Sequence, residues 1–136
     1  MTSQEKIHNP KEQLTSSELE KLLFSDYPQH SALFVLANLS MVADGQWDEN
    51  DFFEKTNPAL IKNIDQYIDR YCQTRNLKRP DKLNDNIIKK GEKIDQLVNE
   101  LKEALTNKSG LKTIYKIVRR FESEAGIKMQ KIKHYE

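Results

Sequence analysis

Apolar residues recur at three- and four-residue intervals along most of this chain, the spacing that lines one face of an α-helix. Leu83, Ile87, Ile94, Leu97, Val98, Leu101 and Leu105 hold that rhythm longest and predict one long helix near 81–107, which Gly91 interrupts and kinks or thins. Leu111, Ile114, Tyr115, Val118 and Phe121 predict a last helix that ends near Gly126. Leu60, Ile64, Tyr67, Ile68 and Tyr71 predict another, opened by Pro58 and running to about Arg75. Ser31–Ala43 is apolar on almost every side, as expected of a central helix covered all round.

Start and stop signals divide the rest. Thr15 with Glu18 three residues on has capping-box spacing, and the short helix "SELEKLLF" is expected to stop before Pro28. Asp44-Gly45 is placed to end the central helix, since glycine takes the left-handed conformation of a helix C-terminus at no steric cost. "NLKRP" reads as a basic connector, and no strand-like alternation is long enough to predict a sheet. The expectation is an all-α, single-domain bundle of five or six helices. It comprises a flexible N-terminal lead-in over residues 1–14, a helical domain over 15–126 and a basic C-terminal tail over 127–136, mobile or an extension.

The stretch "MVADGQWDENDFFEK" (Met41–Lys55) crowds carboxylates around an Asp-Gly pair. As a calcium loop it fails: with Gly45 at the turn position, Ser40 and Val42 fall where carboxylate or amide ligands are needed, and Val42 has no ligand atom. As a turn it succeeds. Asp48 can cap a new short helix, Glu49 and Asp51 suit the positive end of its dipole, and Trp47, Phe52 and Phe53 form a core junction between two helices. Ala43-Asp44-Gly45 after an apolar helix is similar to the turn of TerB-like helical domains, and Gly45, Trp47, Asp48 and Phe52 resemble the helical-hairpin junction of the secretion protein IcmQ. Neither resemblance covers enough of the chain to imply a function.

Composition narrows the class. The chain has 136 residues, 32% of them charged, with only four Gly and four Pro, which favours long helices over many tight turns. At this length the core needs no disulfide, and the one cysteine, Cys72, can form none internally; it is expected to be a small buried residue. The longest apolar run has 13 residues, too short to span a bilayer, and the polar start lacks a signal-peptide core; the expectation is a soluble, cytoplasmic protein with no membrane span. Gly45, Gly91, Gly110 and Gly126 are isolated, so no phosphate loop forms, and His8, His30, His134 and Cys72 have no zinc or nucleophile spacing. No enzyme activity, no cofactor and no metal are therefore expected.

Net charge is +1, but unevenly spread: four lysines against ten carboxylates over 1–57, and eight cations against three carboxylates over 108–136. On the last helix Lys112, Lys116, Arg119 and Arg120 share one side, and Lys128, Lys131 and Lys133 extend the charge. These seven are the candidate site for a phosphate backbone or an acidic partner, with Tyr115 and Tyr135 as candidate stacking rings. "RRFE" (Arg119–Glu122) is similar to the C-terminal helix of small helical subunits of CRISPR ribonucleoprotein complexes. The expected function is a non-enzymatic helical protein-interaction module, such as an adaptor, chaperone, immunity or regulatory protein, with another protein as partner and Ile88, off the long helix's stripe, as part of a partner surface. The alternative is a nucleic-acid-backbone-binding subunit of a ribonucleoprotein or defence complex.

Overall fold

The computed structural model describes residues 12–81 and 84–136. It is 72% helical, an all-α bundle with almost no strand. In chain order the elements are β1 (Glu12–Gln13), α1 (Ser16–Lys21), α2 (Tyr27–Ala43), α3 (Glu49–Lys55), α4 (Ile64–Thr74), β2 (Leu77–Lys78), α5 (Asp85–Thr106) and α6 (Leu111–Ala125). Most of the lead-in expected at 1–14, including His8, lies outside the described residues, as does Leu83 of the long stripe. What is described of the lead-in is tied down: Glu12 and Gln13, both exposed, pair in parallel with Leu77 and Lys78, and Leu14 is buried.

The expected break before Pro28 does not occur. Helix continues from Ser16 to Ala43 through a π-helical turn at Leu22–Asp26, which makes five helices among the described residues. Proline lacks an N–H and its ring presses on the carbonyl four residues back, so a widened turn just before Pro28 admits it where a regular turn would not. The other boundaries follow their caps. Thr15 and Glu18 form the capping box that begins α1, and Asp48 and Asp51 form another that begins α3, with bonds of 2.8 and 3.1 Å. Gly45 has φ +80 after α2, the left-handed conformation expected there. Pro58 opens only a 3-10 turn, Pro58–Leu60. α4 begins later, capped by Asn63, and Leu60 is 56% exposed rather than part of its stripe.

Two apolar clusters make the core. The larger joins α2, Phe52 of α3, α5, α6 and the C-terminal segment; the smaller joins Leu14, Leu19, Leu22 and Leu23 to Ile68, Cys72 and Ile87. Phe24, Ile64 and Tyr67 pack against both. Gly91 does not interrupt α5, which is helical from Asp85 to Thr106. It is a buried helical residue where α4 comes close: a Cβ there would stand 3.0 Å from Ile64 Cδ1. No helix among the described residues is long and apolar enough to cross a membrane.

Residues 127–136, expected to be mobile or an extension, are folded against the bundle. Ile127, Met129 and Tyr135 are buried, while Lys128, Lys131 and Lys133 alternate outward. The periodicity of α6 could not reveal this, because the segment is extended after Gly126 (φ +67) and its apolar positions follow no helical spacing.

Candidate functional site

The basic side of α6 is smaller than its sequence suggests. Lys112 and Lys116 are exposed, but Arg120 donates to Glu100 of α5 at 2.6 Å. Arg119 is half-buried and occupied: it pairs with Glu122 and reaches the carbonyls of Met129 and Gln130, both at 3.4 Å. Glu122 in turn accepts the Met129 N–H at 3.0 Å. The two residues together fasten the C-terminal strap onto α6, so Arg119 is part of the interior framework and not of an open stripe.

Neither candidate stacking ring is open to a base. Tyr115 is 1% exposed and its hydroxyl accepts the Ile132 N–H at 2.9 Å; Tyr135 is 5% exposed and its hydroxyl donates to the Leu39 carbonyl at 3.2 Å. The rings lie against each other, 5.5 Å between centroids. Burial first, and hydrogen bonding toward Glu136 second, raise the Tyr115 hydroxyl above its ordinary range; burial, then the Glu49 charge, raises that of Tyr135. Lys128, Lys131 and Lys133 are exposed on the outside of the strap. At the other candidate junction Phe52 is fully buried, Phe53 is half-buried with its ring edge-on to Phe52, and Trp47 is half-buried with Lys55 Nζ 5.8 Å over its ring.

A different surface draws more side chains together. The central helix expected to be covered all round is open on one flank: Leu33 is 41% exposed, Ala37 is exposed and Phe34 is half-buried. Beside it a cleft of about 310 Å³ runs between the start of α2 and one face of α4, lined by Asp26, His30, Lys62, Tyr67, Arg70, Tyr71, Thr74 and Arg75. It continues along α2 as a more open trough past Gln29, Leu33 and Phe34. On α4 the lining positions are spaced three and four apart, which places them on one face. The π-helical turn ends at Asp26, on the rim of this cleft.

The cleft has an aromatic floor and a mainly cationic charged lining. Tyr67 sits 5.1 Å from Tyr27 and 5.7 Å from His30, ring centre to ring centre, and the Arg75 guanidinium stacks 3.8 Å over Tyr71. Burial, then the Asp26 charge, pushes the Tyr67 hydroxyl above its usual range, while Arg75 opposes the rise. Lys62, Arg70 and Arg75 stand against the single lining carboxylate of Asp26, and none of the three has an ion-pair partner among the described residues. The two carboxylates that α4 itself carries, Asp65 and Asp69, are drawn to the opposite flank by Arg79 at 2.6 and 2.8 Å. α4 thus holds its acids on one side and Arg70 on the other, where Lys62 and Arg75 flank the helix at its two ends.

Helical spacing puts Tyr67 and Tyr71 in the apolar stripe of α4 and gives no role to Arg70, Arg75, Lys62 or His30. The available signal was tyrosines at the stripe's edge followed by arginines, since an amphipathic ring at that position keeps one side wet. Ile88, offered as part of a partner surface on the long helix, is 37% exposed over a small apolar recess shared with Leu23, Ile64 and Ile68. Compared with family models, curated proteins and solved structures, the chain matches none of them.

Proposed function

We propose that this protein is a non-enzymatic helical interaction module and that the cleft between α2 and α4, with the open flank of α2, is its docking face. The observation that carries this reading is Leu33: a helix that buries Tyr27, Ala32, Val35, Leu36 and Leu39 leaves this large apolar side chain 41% exposed beside a preformed groove with an aromatic floor. Two neighbouring helices presenting facing stripes match the helix-in-groove mode of peptide recognition. An adaptor, chaperone, immunity or regulatory protein would use such a face, with another protein as partner.

Selection of random displayed peptides on the folded protein tests this without assuming a partner's charge. Binders should shift the backbone amide signals of Leu33, Phe34, Tyr67 and Tyr71 and lose affinity for a Leu33→Glu variant. Failure to select binders, or binders that map elsewhere, sinks the reading.

A second reading keeps the nucleic-acid backbone as ligand. Its support is that Lys112, Lys116, Lys128, Lys131 and Lys133 are exposed and have no ion-pair partner among the described residues. Anisotropy of labelled single-stranded RNA and DNA should then rise at low salt and collapse at moderate salt, and a Lys112→Glu/Lys116→Glu variant should bind less.

A further inference from the structure

We infer that the groove selects an acidic amphipathic helix of a partner protein, its apolar side chains on Leu33, Phe34 and Tyr67 and its carboxylates on Lys62, Arg70 and Arg75. This rests on the docking reading above and adds the chemistry of the occupant.

Dimensions suit a helix. Along α4 the groove runs from Tyr67 to Arg75 and on the α2 side from Asp26 to Phe34, eight residue steps each, or roughly 12 Å at 1.5 Å per residue, with Lys62 lining it ahead of the start of α4. Such a trough seats about two turns of a third helix, whose contacts would come at i, i+3, i+4 and i+7.

Charge then chooses among helices. Three cations without carboxylate partners face one carboxylate, and the Asp65–Arg79–Asp69 cluster keeps the remaining α4 acids turned away. A neutral apolar helix would desolvate those cations without compensation, and a basic one would meet direct repulsion; a helix with glutamates or aspartates along one flank supplies the missing partners. The Arg75 guanidinium already sits over the Tyr71 ring, so less side-chain freedom is lost when a carboxylate arrives. A nucleic-acid strand fits less well, because the α2 half of the groove offers Leu33 and Phe34 where a phosphate chain would need further cations.

The test is a pair of designed amphipathic peptides with identical leucines at helical spacing, one flanked by glutamates and one by lysines. Each is titrated into the full-length protein while backbone amide shifts are followed, a readout that detects weak binding. The glutamate peptide should move the Leu33, Tyr67 and Arg70 signals, and the lysine peptide should not. An Arg70→Glu/Arg75→Glu variant should bind the glutamate peptide at least about tenfold more weakly. Arg70→Gln serves as a milder second variant, and the amide spectrum itself reports that each remains folded. Equal binding of both peptides would overturn the acidic preference while leaving the docking reading intact. Binding by neither would overturn both. Unchanged affinity in the charge variants, or displacement of the peptide by single-stranded RNA at the same residues, would overturn the assignment of the site.

Discussion

The Tyr27 hydroxyl donates to Asp95 Oδ1 at 2.6 Å, and that same oxygen accepts the Ile64 N–H at 3.0 Å. One carboxylate on α5 therefore ties down the start of α2 and the first free N–H of α4, the two helices that flank the cleft. Ile64 opens α4, so the bond also places a negative charge at the positive end of that helix. Tyr27→Phe removes one of these bonds and should cost about 1–2 kcal/mol, since Asp95 stays partly solvated and keeps its other partner. Asp95→Ala should cost more, because both donors lose their acceptor. Chemical denaturation of the two variants checks the order.

Alkaline pH should weaken the same joint. Burial first, and the bond to Asp95 second, raise the Tyr27 hydroxyl far above its ordinary value of 10.0. The folded protein therefore keeps a proton that the unfolded chain releases. The stabilisation is complete below about pH 10 and is lost as pH climbs toward the folded-state value. Denaturation midpoints should fall above pH 10, and less steeply in Tyr27→Phe. Equal slopes in both proteins would assign the loss to other groups.

Gly91 tests how closely α4 and α5 approach. Alanine is worth about 1 kcal/mol over glycine in a helix interior, but its Cβ would stand 3.0 Å from Ile64 Cδ1. That atom is the tip of a flexible side chain, so a small rotation relieves the clash and the two effects should nearly cancel. Gly91→Ala is expected within about 1 kcal/mol of the parent, whereas Gly91→Leu should lose more, in the range of about 1–3 kcal/mol typical of overpacking. Thermal melts of both variants decide the matter; a tolerated leucine would mean that the helices can part.

Most helices and several of their caps were legible in the sequence because they depend on local chemistry, whereas the boundaries read from Pro28 and Pro58 were not. Thr15 with Glu18, Asp48 with Asp51, and Gly45 and Gly126 each act within four residues of where they stand. The cleft was not legible, because it depends on which side of α2 goes uncovered, and an apolar run such as Ser31–Ala43 looks the same on every side. Nor could sequence separate Arg119 from Lys116 on the α6 wheel. Their neighbouring angles hide the fact that one meets the returning strap and the other meets water.

The two arginines of α6 should respond differently to loss of charge. Arg120 and Glu100 are both about half-exposed, so Arg120→Gln is expected to change stability by about 0.5 kcal/mol or less, and less still at high salt. Arg119→Gln removes contacts to Glu122 and to two strap carbonyls, and the effect should be local. Hydrogen exchange at the Met129 and Ile132 amides should accelerate well before the helices open. Exchange unchanged in Arg119→Gln would mean that the apolar contacts alone hold the strap.

The strap's own contribution has a ceiling that two variants can measure. A buried aromatic truncated to alanine costs about 3–5 kcal/mol when the surrounding structure cannot adjust. Tyr135 is buried and bonded to the Leu39 carbonyl, so Tyr135→Ala starts from that figure. Ordering the backbone of segment 127–136 costs about 1–2 kcal/mol per residue, however, which offsets much of what Ile127, Met129 and Tyr135 gain by burial. A strap this finely balanced detaches as a unit once its main contact is gone, and beyond that point further damage costs nothing more. Tyr135→Ala and a chain ending at Gly126 should therefore lose nearly the same stability, a few kcal/mol at most, and both should expose the Tyr115 ring to solvent quenchers. A truncated chain much less stable than Tyr135→Ala would show that the strap stays docked without its tyrosine, held by Arg119, Glu122 and Met129.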